Sequence, residues 1–385
     1  MEYFLNDRQK IVQQVARKIA EERIVPVRAY HDRTGEFPWE VVEDMAKADL
    51  FRIFIPEEYE GLGYGVFELV LAVEQLSWGC GGIALPFAAT ALGTFPIIHF
   101  GNPEQKKKYL PDIAAGRKLA AFALTEPTAG SDAAGVRTTA IKEGDHYIIN
   151  GMKQWITNGG VADVYVVIAL TDPGKGARGA SAFIVERGTP GFRVGKDEDK
   201  MGIRASSTTS LFFDNVKVPR ENLLGREGMG FMIALHTLDR ARPGVAAQSV
   251  GIAQAALEEA LKHARTREQF GQSIINFQGI QFMLAEMATK IEAARSLTYS
   301  VARHIDSGAR RISKESAMAK LFASDVAMEV TTQAVQILGG FGYMKDYPVE
   351  KMMRDAKVTQ IYEGTNQIQR LVIASQLVKE AASLI

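Results

Sequence analysis

The chain has 385 residues, more than a single hydrophobic core usually supports, so we expect roughly two or three domains. Its 45 Lys and Arg residues balance its 45 Asp and Glu residues, which argues against nucleic acid or an anionic membrane as a partner. One cysteine excludes an internal disulfide, and the histidine spacing shows no metal site. We see neither a signal peptide nor an apolar run of membrane-spanning length, so we expect a soluble, cytoplasmic protein.

The first region, to about residue 120, has the pattern of helices. Asn6 is placed to cap a helix whose apolar residues recur every four positions as far as Ile19, and Pro26 ends it. Further helices are expected over 41–48 and 67–77. The sequence therefore predicts an N-terminal helical domain over 1–120.

The second region, about 121 to 225, changes to the period of strands. Short β-branched and aromatic runs lie between Gly, Pro and Asp residues: His146–Asn150, Val164–Leu170, Ser181–Glu186 and Thr209–Phe213. These predict a middle antiparallel β domain over 121–225. Gly174–Gly179 matches the glycine pattern of dinucleotide sites, but a strand pattern follows where such a site requires a helix. We therefore interpret this segment as a hairpin loop.

The third region, about 226 to 385, returns to helices that are longer and more regular. One apolar stripe runs from Ile280 to Val301, and a second runs from Ala317 to Leu338 before Gly339-Gly340 ends it. Such stripes are typical of a helical bundle, and large apolar faces also suit subunit association. The expected fold class is thus α+β, with a C-terminal helical bundle and oligomerisation domain over 226–385.

Four segments carry the functional signal: Leu124–Asp132 (Leu-Thr-Glu-Pro-Thr-Ala-Gly-Ser-Asp), Trp155-Ile156-Thr157, Arg267–Gly271 (Arg-Glu-Gln-Phe-Gly) and Ile361–Asn366 (Ile-Tyr-Glu-Gly-Thr-Asn). In this order they resemble the acyl-CoA dehydrogenases, most closely the short- and medium-chain members, and the resemblance covers essentially the whole chain. It implies FAD-dependent α,β-dehydrogenation of an acyl-CoA thioester to a trans-2-enoyl-CoA in fatty acid or carboxylic acid metabolism. Electrons would pass to an electron-transfer flavoprotein, and the protein would be a homotetramer.

The chemistry of this reaction sets what the site must contain. A base must take the α-proton, donors must stabilise charge on the thioester carbonyl, and a bound cofactor must accept the β-hydride because no side chain can. With the nicotinamide site rejected, we expect that cofactor to be a flavin, and the resemblance implies FAD. By the resemblance Glu363 is the base. Some relatives carry the base at the position of Ala241, which cannot serve here.

The resemblance also implies binding residues. Those expected against the flavin ring are Phe122, Leu124, Thr125, Ser131, Trp155, Ile156 and Thr157. Those expected at the rest of FAD, partly across a subunit interface, are Arg267, Phe270, Phe277, Gln278, Gln336, Leu338, Gly339, Gly340, Thr365 and Gln367. Those expected at the acyl-CoA are Ser131, Asp239, Arg242, Tyr362 and Gly364.

Several alternatives stay open at this point. The same fold serves acyl-CoA oxidases and enoyl-CoA reductases, while flavin monooxygenases on this scaffold typically lack the glutamate base. A non-catalytic helical assembly protein is the alternative of another class. Asp239 and Arg242 also have the spacing of an intrahelical ion pair. Pro86 and Phe87 are expected either to shape the end of the acyl channel or to pack in the core, so linear, branched, alicyclic and aromatic acyl groups remain candidates.

Overall fold

The computed structural model describes residues 3–382. The first part of the chain forms six α-helices: α1 (Asp7–Ile19), α2 (Arg28–Thr34), α3 (Trp39–Lys47), α4 (Val66–Gly79), α5 (Gly81–Phe100) and α6 (Pro103–Ala114). The Asn6 side chain accepts a hydrogen bond from the backbone N–H of Gln9 at 2.9 Å, and the Gln9 side chain accepts from that of Asn6 at 3.1 Å. This reciprocal capping confirms the predicted start of α1.

Helix α5 corrects one expectation from the sequence. Among the helices of residues 3–382, it is the one that is long and apolar enough to cross a membrane by length and composition. The expectation that no apolar run has this length is therefore wrong. Most of the segment is buried inside the protein, which is the position of a core helix. It packs against α4, α7 and β1, so its apolar residues face protein on several sides at once.

The middle of the chain forms an eight-stranded sheet. Its strands are β1 (Ala120–Ala123), β2 (Thr139–Glu143), β3 (His146–Thr157), β4 (Val164–Leu170), β5 (Ala180–Glu186), β6 (Phe192–Asp197), β7 (Thr208–Pro219) and β8 (Leu223–Leu224). The order is β6-β7-β3-β2-β4-β5-β8, and β1 also pairs with β4. A short turn over Pro173–Gly179 joins the antiparallel strands β4 and β5, which confirms the hairpin interpretation of the glycine-rich segment.

The sheet is mixed, so the prediction of a purely antiparallel domain is wrong at two pairings. Strand β1 runs parallel to β4, with Ala120 opposite Val164, and β2 meets β4 in parallel at Thr139 and Leu170. All other pairings are antiparallel. The alternation of apolar residues reports which face of a strand is buried and carries no information on strand direction. Periodicity therefore could not reveal the parallel pairs.

The remaining chain is helical, as predicted. It comprises α7 (Gly230–Thr266), a small hairpin of β9 (Glu268–Gln269) and β10 (Gln272–Ser273), then α8 (Gln278–Asp306), α9 (Ser313–Leu338), α10 (Val349–Thr359) and α11 (Asn366–Ala381). Helix α9 ends where Gly339 takes a positive φ of 60°, the conformation that favours glycine. Helix α7 packs against α4 and α5 and also against α8 and α9, so it joins the bundle to the first helices.

Candidate active site

A cavity of about 420 Å³ opens where α5, α7, the ends of β1 and β3, and the turn between α10 and α11 meet. Its walls are mainly apolar, with a small number of hydroxyl and charged groups, which is the usual character of a small-molecule site. Eleven of the residues predicted from the sequence line it: Phe122, Leu124, Thr125, Ser131, Trp155, Ile156, Thr157, Arg242, Tyr362, Glu363 and Gly364. The fold thus brings together segments that are far apart in the sequence.

Glu363 lies on the turn between α10 and α11. Its φ of 52° is in the left-handed region, and Gly364 follows with a φ of 93°. The carboxylate oxygen Oε2 is buried and has no hydrogen-bond partner among the described residues. Burial raises the pKa of Glu363 to about 7, against the opposing effects of the Arg242 and Lys320 cations. A carboxylate with this proton affinity is suited to act as a base near neutral pH.

Buried donors fix the backbone of this turn. The Gln369 side chain donates to the carbonyl oxygens of Glu363 at 3.2 Å and of Gly364 at 2.9 Å. Arg242 Nε donates to the Glu363 carbonyl at 3.4 Å. The Tyr362 hydroxyl donates to the Gln248 side chain, whose amide donates to the Gly81 carbonyl at 3.0 Å. Both sides of Glu363 are therefore anchored to other helices.

Asp239 and Arg242 form the ion pair that their spacing in α7 predicts. Arg242 Nη1 lies 2.7 Å from Asp239 Oδ1, and the Ser313 hydroxyl donates to Asp239 Oδ2. Burial raises the pKa of Asp239, partly offset by these partners. Arg242 lines the cavity beside Ala241, but Asp239 is not among the lining residues. A contact of Asp239 with acyl-CoA stays a prediction.

The cavity offers one sheltered carboxylate. Its lining residues include two acids, Asp132 and Glu363. Asp132 is exposed to solvent at the surface loop after β1, whereas the Glu363 carboxylate is buried. Ala241, where some relatives carry the base, faces the same space with no ionisable group. Geometry and chemistry therefore select Glu363 as the candidate base.

A buried ion pair that the sequence analysis did not identify holds two cavity walls together. Lys153 of β3 is fully buried, and its Nζ donates to the Leu124 carbonyl at 2.9 Å and to Glu126 Oε1 at 2.7 Å. Glu126 also accepts from the backbone N–H groups of Arg137 and Thr138. Burial lowers the pKa of Lys153 to about 8, and the Glu126 carboxylate opposes this. The glutamate of the Thr-Glu-Pro segment thus fixes the walls instead of facing the cavity.

This pair explains how Thr125 and the Trp155–Thr157 segment come to lie side by side. The Gln154 N–H donates to the Thr125 carbonyl at 2.8 Å, and the pairing of β3 with β7 is irregular between Lys153 and Ile156. At this irregularity Trp155 takes a positive φ of 56° and leaves its side chain 59% exposed. An inward-facing lysine at an apolar strand position was the signal in the sequence that could have revealed the pair.

The residues expected at the rest of FAD do not line the cavity of their own chain. Arg267 and Phe270 lie exposed on the hairpin segment after α7, where Phe270 is 94% exposed and contacts Phe277 edge to face. Gln278 is exposed at the start of α8, Gln367 at the start of α11, and Gln336, Gly339 and Gly340 at the end of α9. Their contact with FAD across an interface stays a prediction.

Two of these residues have side chains already engaged within the chain. Leu338 is 4% exposed and belongs to the bundle core, so it could approach a cofactor through its backbone. The Thr365 hydroxyl caps α11 by accepting from the Ile368 N–H at 3.3 Å. The Thr365 side chain would therefore have to share its hydroxyl with any bound diphosphate.

Of the two alternatives for Phe87, the structure agrees with packing in the core. Phe87 is fully buried, and its ring centroid lies 5.6 Å from that of Phe51 and 5.9 Å from that of Phe54. Neither Phe87 nor Pro86 lines the cavity, whereas Leu85, Ala88, Ala89 and Leu92 do. The reason is helical geometry, because positions 85, 88, 89 and 92 share one face of α5 and position 87 lies on another.

The lining is chemically suited to a planar aromatic cofactor next to an apolar substrate. Exposed indole surface at Trp155 and the hydroxyls of Thr125 and Thr157 lie along one wall, and the unpartnered Glu363 oxygen lies on the same cavity. Within residues 3–382, no group of three or more His, Cys, Asp and Glu side chains is placed to hold a metal ion. The site fits flavin chemistry.

Comparison with known proteins agrees with this description. Family models of the acyl-CoA dehydrogenase N-terminal, middle and C-terminal domains match residues 6–117, 121–216 and 228–378. The short-chain-specific acyl-CoA dehydrogenase of Clostridium acetobutylicum is 48% identical over 378 residues, which cover 98% of this chain and 100% of the relative.

Solved structures are similarly close. Butyryl-CoA dehydrogenase from Megasphaera elsdenii has a TM-score of 0.96 and 47% identity, covering 98% of this chain and 100% of that chain. A chain from a study of the electron-transferring flavoprotein of Acidaminococcus fermentans and flavin-based electron bifurcation has a TM-score of 0.96 and 51% identity, covering 98% of this chain and 99% of that one. An acyl-CoA dehydrogenase from Bacillus anthracis, solved with FAD, is 37% identical with a TM-score of 0.91, covering 99% of this chain and 68% of that one. The chain belongs to the acyl-CoA dehydrogenase family.

Proposed function

We propose that this protein dehydrogenates an acyl-CoA thioester between its α and β carbons with FAD as the hydride acceptor. The observation that carries the proposal is the buried, unpartnered carboxylate oxygen of Glu363 in an apolar cavity that Trp155 and Thr157 also line. When bound there, FAD supplies the two-electron oxidation that side chains cannot perform. The residues that would hold its ring are the cavity residues of β1 and β3 and the loop after β1.

Glu363 is the base in this proposal. Burial raises the pKa of Glu363 to about 7, close to neutral pH. A base with such a pKa is partly ionised at neutral pH and still binds a proton well, so it can take the α-proton. No hydrogen bond within residues 3–382 uses the Glu363 N–H. That N–H can therefore donate to the thioester carbonyl and stabilise the charge that develops as the α-proton leaves.

The acyl group is expected to be apolar and uncharged. Leu85, Ala88 and Ala89 of α5 and Leu69 and Val73 of α4 line this part of the cavity. Arg242, the cation among the lining residues, is already paired with Asp239. A carboxylate at the far end of the acyl chain would thus lose its hydration in the cavity without gaining a free counter-ion.

The partners follow from the family and from the similar proteins. We propose that electrons leave to an electron-transfer flavoprotein and that the protein acts as a homotetramer. The exposed aromatic surface around Phe270 and the C-terminal bundle supports association. The domain bounds 1–120, 121–225 and 226–385 and the cytoplasmic location stay predictions.

Anaerobic mixing with a panel of acyl-CoAs tests the proposal. The purified protein should be yellow, and butyryl-CoA and related linear chains should bleach the flavin, whereas a dicarboxylic acyl-CoA should not. Reoxidation by an electron-transfer flavoprotein that is much faster than by oxygen would distinguish the dehydrogenase from an oxidase. A colourless protein, as a non-catalytic assembly protein would be, or bleaching by NAD(P)H alone, would contradict the proposal.

A further inference from the structure

A lysine beneath the catalytic turn has no place in the chemistry described so far. Lys320 of α9 is fully buried, which is rare for a lysine and requires compensating contacts. Its Nζ donates to the Gly364 carbonyl at 2.9 Å and to the Asn366 side-chain oxygen at 2.8 Å. Both acceptors belong to the turn and helix start that immediately follow Glu363.

These contacts act on backbone that does not hold its conformation unaided. Glu363 and Gly364 both have positive φ, and for a residue with a Cβ this conformation persists only where its surroundings enforce it. The Gly364 carbonyl accepts from Lys320 and Gln369, and the Glu363 carbonyl accepts from Gln369 and Arg242. Lys320 is thus one of three side chains that fix the direction of the Glu363 backbone.

Lys320 also differs from Arg242 in how its charge is balanced. Arg242 has a carboxylate partner in Asp239, whereas the hydrogen-bond acceptors of Lys320 are a carbonyl and an amide. The charged groups that act on Lys320 are Glu363, Arg242 and Asp325, and those that act on Glu363 are Arg242 and Lys320. Burial lowers the pKa of Lys320 to about 7, and the Glu363 charge opposes this.

Asp325, near the middle of α9, completes the cluster. The Asn366 amide donates to Asp325 Oδ1 at 2.7 Å and to the Ser324 hydroxyl at 2.9 Å. Asp325 is partly exposed and also pairs with Arg370 at 3.1 Å. The negative charge of Asp325 therefore acts on Lys320 across their shared contact, Asn366. Solvent and Arg370 partly balance that charge.

We infer that Lys320 is a positioning residue for Glu363, which both fixes the backbone of the catalytic turn and supplies the buried positive charge that stabilises the ionised base. The inference rests on the proposed function, because it assigns Lys320 a role through Glu363. It concerns a residue that is not among those lining the cavity. Loss of the Lys320 cation should make the Glu363 carboxyl group harder to ionise. It should also leave the backbone that orients the Glu363 side chain less firmly held.

The test is the pH dependence of anaerobic flavin reduction in Lys320→Met, Lys320→Arg and a matched control, Ser324→Ala. Ser324 belongs to the same buried cluster but bears no charge and does not contact the Gly364 carbonyl. In Lys320→Met the apparent pKa for reduction should rise by about 1 unit or more, as expected when an opposite charge nearby is removed. The limiting rate at high pH should also fall. Lys320→Arg should return the pKa towards that of the parent, and Ser324→Ala should leave it unchanged.

Two results separate the failure of this inference from the failure of the proposed function. If the parent protein is reduced by acyl-CoA but Lys320→Met keeps its pH profile and limiting rate, Lys320 is only structural and the inference is wrong, whatever the loss of thermal stability. If the parent is not reduced by any acyl-CoA, the proposed function fails instead.

A variant at the edge of the cluster keeps the test decisive if Lys320→Met does not fold. In that case Asp325→Asn should raise the apparent pKa for flavin reduction by a smaller amount. The Asp325 charge stabilises the Lys320 cation, and without it the cation is less favoured. An unchanged profile in Asp325→Asn would overturn the inference. The pH dependence of the melting temperature gives a second measurement that does not depend on turnover.

Discussion

Replacing Glu363 by Gln should make the stability of the protein less sensitive to pH between about 5 and 7. In the folded protein burial raises the pKa of Glu363 from 4.5 to about 7. As the pH rises through this window, the unfolded chain has already released the proton while the folded protein still holds it. The folded state therefore loses stability with rising pH, and the loss is complete once the pH passes the folded pKa.

The size of this effect follows from the shift. Each pKa unit corresponds to about 1.4 kcal/mol, so a shift of about 2.5 units gives an upper limit of about 3.5 kcal/mol. Water entering the open cavity should reduce it. Glu363→Gln lacks this ionisable group, so between pH 5 and pH 7 its free energy of unfolding should rise relative to that of the parent by about 1–3 kcal/mol. For a chain of this length about 1 kcal/mol corresponds to about 1 °C in melting temperature.

Melting curves of both proteins at matched ionic strength, with FAD content checked by absorbance, measure this difference. The exposed Glu57→Gln should follow the parent at every pH, since Glu57 lies outside the cavity. Parallel curves for the parent and Glu363→Gln would refute the reasoning, because they would show that Glu363 ionises equally easily in the folded and unfolded states.

Three further variants test the remaining assignments. Arg267→Ala should weaken retention of FAD by about 10-fold or more, as expected for a charge-assisted hydrogen bond worth about 1.5–3 kcal/mol. Arg265→Ala, at a residue that is also exposed, should retain FAD as the parent does. Equal retention in both variants, measured by gel filtration and absorbance, would remove Arg267 from the FAD site. Phe87→Ala should lower the free energy of unfolding by about 3–5 kcal/mol without changing relative rates across an acyl-CoA length series. Ala88→Leu, on the cavity face of α5, should instead reduce the rates of the longer chains first.

The sequence predicted the order of the helical, β and helical regions and eleven of the residues that line the cavity. Local patterns are sufficient for this, because capping, apolar period and turn residues act over a few positions. The turn with Glu363 and the Trp155 segment carry unusual residue combinations, and the structure places them on the same cavity. The family resemblance supplied their roles, which periodicity alone could not.

The features that were missed depend on contacts between distant elements. Lys320 looks like an ordinary surface residue in the sequence, and only its inward position on a strand distinguishes Lys153 from one. Both are fully buried against partners on other segments. Their partners, the Glu126 carboxylate and the Gly364 carbonyl, are set by the tertiary fold. The place of Phe87 was left open for a different reason, because the pattern of an almost uniformly apolar helix does not reveal which face of α5 lines the cavity.

The central claim is that Glu363 removes the α-proton of a bound acyl-CoA, and single-turnover reduction of Glu363→Gln under anaerobic conditions tests it most directly. Gln has nearly the same shape and the same backbone N–H, so FAD and acyl-CoA binding should survive. The rate of flavin bleaching should fall by at least about 100-fold relative to the parent, the usual lower contribution of a positioned base. Bleaching at a rate close to that of the parent, with acyl-CoA bound, would contradict the claim.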